Sequence, residues 1–61
     1  MEKLSDKCSL AKACYQLGWT YRKMGDINKS RESFQQSINL FNEIQAPRQV
    51  EKVQAAMESL E

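Results

Sequence analysis

Along this chain, apolar residues return every three or four positions in long stretches broken by two short interruptions. That spacing predicts amphipathic helices, because 3.6 residues per turn bring positions three and four apart onto one face. The first stretch carries Leu10, Ala13, Cys14, Leu17, Tyr21 and Met24. Ser5 or Asp6 can cap its start, which predicts a helix over about residues 6–24. Gly25 offers the left-handed conformation that ends a helix cheaply, and Asp26 can cap the next one. Ile27, Ser30, Phe34, Ser37, Ile38, Phe41 and Ile44 then form the inner side of a second helix, over about residues 27–45. Pro47 suits the first turn of a third, over about residues 47–60, with Val50, Val53, Ala56 or Met57, and Leu60 as its stripe. No strand-like alternation or low-complexity tract interrupts the pattern. The fold class is all-α, a single domain over residues 1–61 whose short junctions suit antiparallel neighbours.

Gly18 stands inside the first helix, where glycine costs roughly 1 kcal/mol against alanine. A close crossing by the second helix explains that cost. Ser30 and Ser37 would be the small residues at the crossing, with Leu17, Tyr21 and Phe34 filling the space on either side. Ala13, Leu17, Gly18, Tyr21, Ser30, Phe34 and Ser37 in this arrangement resemble the tetratricopeptide repeat (TPR), a helical hairpin that stacks into protein-binding superhelices. Departures from the family pattern are visible. Cys14 stands where Trp is usual, and Asn42 where Pro usually closes the repeat. Ser30 and Ser37 stand where Ala is common, and each hydroxyl is expected to bond back to a carbonyl one turn earlier. Shifting the chain by 40 residues lays Leu10 on Val50, Ala13 on Val53 and Leu17 on Met57, then sets Gly18 against Glu58 and Tyr21 against Glu61. The third helix therefore looks like the opening of a degenerate further repeat, with charge where another unit would pack, as a terminal cap requires.

The resemblance implies a TPR-like antiparallel helical hairpin plus a third capping helix, acting as a protein–protein interaction module or as the terminal repeat of a larger TPR protein. It also implies that Lys12, Tyr15, Gln16, Trp19, Arg22 and Lys23 line the concave groove. Three cations with a Trp and a Tyr could there grip an acidic or carboxylate-bearing peptide through charged hydrogen bonds and aromatic contact. The plainer reading of the same residues is a solvated cationic face, with Trp19 packed on a neighbouring unit.

Composition narrows the alternatives. The chain has 61 residues, a formal charge of +1 and interspersed ionic groups, so no basic tail or acidic block advertises nucleic acid. Stacking of single-stranded nucleic acid on Tyr15 and Trp19, or a helix-turn-helix use of the second helix, is the alternative function class. There is no His, and two cysteines without a CxxC pairing make no zinc site, so no catalytic residue, metal or cofactor is expected. Cys8 and Cys14 are six apart, roughly 120° around a helix, and read as free thiols acting as small buried residues. No apolar run approaches a membrane span, and the first residues lack the apolar core of a signal peptide, which points to a cytoplasmic chain. A chain this short buries only about 60% of its extended-chain surface, so a homodimer or docking on preceding repeats is expected. Cys8, Leu10, Cys14 and, at the margin, Trp19 would otherwise be exposed.

Overall fold

The computed structural model describes residues 3–60, which form α1 (Lys3–Met24), α2 (Ile27–Glu43) and α3 (Pro47–Glu58). α1 is helical from Lys3, so Asp6 is not a cap. It lies in the first turn instead, where a negative charge complements the helix N-terminus. At the other end, Gly25 takes φ +88°, its N–H reaches the Arg22 carbonyl at 3.0 Å and the Asp26 N–H reaches the Tyr21 carbonyl at 2.9 Å. That paired closure satisfies carbonyls the helix would otherwise leave bare. Asp26 then accepts a bond from the Lys29 N–H at 3.3 Å and caps α2, as its place in the sequence predicts.

The same closure recurs after α2, without a glycine. Gln45 adopts φ +57°, its N–H reaches the Asn42 carbonyl at 3.0 Å, and the Ala46 N–H reaches the Phe41 carbonyl at 2.9 Å. α2 therefore ends at Glu43, short of the expected Gln45, and α3 ends at Glu58 with Leu60 folding back into the core. Pro47 opens α3, preceded by Ala46, which provides no side-chain cap.

α2 is the central layer. Phe34, Ile38 and Phe41 meet Ala11 of α1 together with Val53, Ala56 and Leu60 from the α3 segment, and these residues form the core. α1 and α3 each pack on α2. The expected inner residues of α2 and α3 are all buried or half-buried.

α1 corrects the expectation. Its inward face carries Ala11, Cys14 and Gly18, flanked by half-buried Tyr15 and Trp19, whereas Leu10, Ala13, Leu17 and Met24 face outward. The reason is the closeness of the crossing. A Cβ on Gly18 would lie 2.6 Å from the Phe34 ring, so only small residues fit along this line. The space beside Gly18 is filled by Tyr15, Trp19 and Phe34, with Leu17 turned away. The two serines also act differently from expectation. Neither bonds back within its own helix. Ser30 Oγ donates to the Gly18 carbonyl at 2.6 Å and Ser37 Oγ to the Ala11 carbonyl at 2.8 Å. Both hydroxyls are fully buried, so a short cross-helix bond satisfies each one while holding the helices in register.

Candidate interaction surface

The packing of α1 and α3 on α2 leaves a cleft of about 290 Å³ lined by Lys12, Tyr15 and Gln16 of α1, Phe41 of α2, and Gln49, Lys52 and Val53 of α3. Its floor is apolar, because Phe41 and Val53 belong to the core. Its rim is cationic and amide-bearing: Lys52 Nζ lies 5.9 Å from the centre of the Tyr15 ring, Lys12 is exposed, and among the described residues no carboxylate lines the cleft. Such a site can hold an apolar group on its floor while presenting two ammonium groups and two amides to an anion or a peptide backbone.

Three of the six residues expected to line a groove therefore come together here: Lys12, Tyr15 and Gln16. The other three lie apart from this cleft. Trp19 stands edge-on to Tyr15 at 6.2 Å and to Phe34 at 5.5 Å between ring centres, contacts that leave it half-buried within the hairpin. Arg22 stacks over the Trp19 ring at 5.5 Å, and Lys23 is exposed. Gln49 and Lys52 were not among the expected site residues, because nothing local in α3 distinguishes its cleft side from ordinary solvent-facing positions. A signal existed: the 40-residue shift that relates α3 to α1 lays Lys52 on Lys12.

A different surface lies on the outward side of α1. Leu10, Leu17 and Met24 are 54%, 46% and 68% exposed and recur every seven residues. Beside them, toward α2, Tyr21, Lys29, Glu32, Ser33 and Gln36 line a polar hollow of about 250 Å³, with Lys29 over the Tyr21 ring. Cys14 is buried, as its reading as a small free thiol predicts and against the exposure expected of it on a solitary chain, and its thiol donates to Gln36 Oε1 at 3.7 Å. Burial pushes that thiol above its ordinary value. Cys8 is half-buried. At the far end of the hairpin, Lys7 and Glu43 form an ion pair that ties the start of α1 to the end of α2. Among the described residues no buried side-chain polar atom lacks a partner, and no helix is long and apolar enough to cross a membrane.

A family model for the tetratricopeptide repeat matches residues 11–43, the span from the core residue Ala11 to the end of α2. No curated protein and no solved structure matches the chain.

Proposed function

The chain belongs to the tetratricopeptide repeat family, a family of interaction modules that are generally non-catalytic, and on that premise we propose that it acts in protein–protein interaction by binding an acidic or carboxylate-bearing peptide segment. The observation that carries this reading is the cleft between α1 and α3, with an apolar floor, Lys12 and Lys52 on its rim, and no lining carboxylate among the described residues. Tyr15, Gln16 and Gln49 supply the aromatic edge and the amides, while Trp19, Arg22 and Lys23 extend the cationic and aromatic surface farther along α1. A formal charge of only +1 makes this local asymmetry the selective feature, since no global field competes with it.

The test is selection from a random peptide library displayed on phage, followed by fluorescence anisotropy on the selected sequences. Enrichment in Asp and Glu is expected, with Lys12→Ala and Lys52→Ala each weakening binding by roughly two- to fivefold, the usual range for exposed charge pairs. Selection of peptides without acidic residues, or affinities indifferent to both lysines, refutes the reading.

Self-association is a second reading, favoured by the uncovered Leu10, Leu17 and Met24 on the opposite side of α1.

A further inference from the structure

We propose that the anion taken by the α1–α3 cleft is a phosphomonoester, carried by a phosphoserine or phosphothreonine of the bound peptide. This rests on the peptide-binding reading and names the group within it. Position is the first argument. The short junctions make α1 and α3 run the same way along α2, and the 40-residue shift that relates them lays Lys52 on Lys12. In space, Lys52 Nζ reaches across from α3 to within 5.9 Å of the centre of the Tyr15 ring, and Tyr15 stands one turn from Lys12 on α1. Two ammonium groups from opposite walls therefore face one level of the cleft. Neither is neutralised: among the described residues Lys12 and Lys52 enter no ion pair, whereas Lys7 is closed on Glu43. Two like charges at one place are matched by a dianion and only half matched by a single carboxylate.

The donors point the same way. Lys12, Lys52, Gln16, Gln49 and the Tyr15 hydroxyl together offer more N–H and O–H groups than one carboxylate can accept from. A phosphate, with about −1.5 to −2 charge and more acceptor oxygens, uses the surplus. Among the described residues no arginine lines the cleft, so the planar fork that favours a carboxylate is missing. Lysine binds as a point charge and asks for no planarity.

Phe41 and Val53 select the carrier. Residues two apart in an extended segment share a face, so a phosphoserine level with the lysines turns the second residue before or after it onto the apolar floor. A short side chain keeps the phosphate at the rim. The longer phosphotyrosine would press its charge onto that floor, where desolvation is costly. A cleft of about 290 Å³ suits one such anion and one apolar side chain.

The test uses oriented peptide libraries with phosphoserine, Glu or Ser fixed at the centre. Fluorescence anisotropy follows on the best phosphoserine peptides and their Glu and Ser counterparts. Replacing Glu by phosphoserine adds a charge pair to each lysine; at roughly two- to fivefold per exposed pair, the phosphoserine peptides should bind about tenfold tighter. Lys12→Ala with Lys52→Ala, both at exposed positions and checked for helicity by circular dichroism, should erase that preference. The chain has no His, and the titratable groups lining the cleft are Lys12, Tyr15 and Lys52. The ligand's own second ionisation, at about pH 6, should therefore make phosphoserine binding rise severalfold between about pH 5.5 and about pH 7.5 while the Glu counterparts stay level. Equal affinity for phosphoserine and Glu peptides overturns the phosphate assignment and leaves the acidic-peptide reading standing. Binding from none of the libraries, or equal binding of the Ser peptides, overturns both. A preference that survives the double lysine variant places the phosphate elsewhere and overturns the site. Inorganic phosphate that competes as well as the peptides bind would show that the floor contributes nothing, and overturns a peptide as the carrier.

Discussion

Gly18 and Phe34 set the distance between α1 and α2, and their contact turns a sequence oddity into a measurable constraint. A methyl group at residue 18 would sit 2.6–2.8 Å from three atoms of a ring that is itself fully buried and cannot swing away. Overpacking of this kind costs about 1–3 kcal/mol, while alanine returns about 1 kcal/mol of helix propensity. Gly18→Ala should therefore lose up to about 2 kcal/mol in urea denaturation, and Gly18→Leu should prevent the hairpin from forming. A Gly18→Ala variant more stable than the parent would show that the helices can separate freely. Cys14 gives a pH-dependent signature. Burial raises its thiol above the ordinary value of 9.0, so the folded state holds the proton more tightly than the unfolded chain does. The stability this contributes is complete below the unfolded value and is lost as pH rises from there through the folded one. Denaturation midpoints should fall above about pH 9 in the parent and fall less in Cys14→Ala.

The same hydrogen-bonded closure ends both α1 and α2, but the residue in the left-handed position differs. Gly25 adopts it without a side-chain penalty, whereas Gln45 holds φ +57° with a Cβ in the way. Left-handed backbone costs an L-residue roughly 1–2 kcal/mol, so Gln45→Gly should raise stability by about 0.5–1 kcal/mol after the added freedom of the unfolded chain is subtracted. Asp26→Ala should lower it by about 1 kcal/mol through loss of the bond to the Lys29 N–H. Thermal melts of the two variants should shift in opposite directions. Helix ends were legible at Gly25, Asp26 and Pro47, each a residue type dedicated to the job, but not at Ser5 or Asp6, which lie inside α1. The end of α2 was not legible either, because Gln45 carries no such preference, although the bonds from the Gln45 and Ala46 N–H groups back to α2 close the helix there.

For the whole molecule, α2 is the element on which everything else depends. Its inner residues are covered on one side by α1 and on the other by α3, so removing α3 uncovers Ile38 and Phe41. A chain truncated after Ala46 should lose more helicity by circular dichroism than the 12 residues of α3 account for, since a core this small has little stability to spare. Retention of full α1 and α2 helicity in that truncation would show that the hairpin is self-sufficient. The α1–α3 cleft exists only at this scale. Lys12 and Lys52 are 40 positions apart and meet around one cleft because α2 holds both helices on it.

The sequence by itself determined the three helices, the turn at Gly25, the inner faces of α2 and α3, and the close crossing at Gly18. Each of these follows from local periodicity, a dedicated end residue, or the absence of a side chain. Which face of α1 turns inward was decided only by the tertiary structure. That helix carries apolar residues on two sides, and periodicity cannot rank them. The larger aliphatic residues Leu10 and Leu17 went outward, because α2 crosses so close that Phe34 meets the bare backbone of Gly18, and the inward face carries Ala11, Cys14 and Gly18. The serine hydroxyls followed from the same closeness. With foreign carbonyls at 2.6 and 2.8 Å, Ser30 and Ser37 bond across the crossing and hold together two helices that their sequences specify separately.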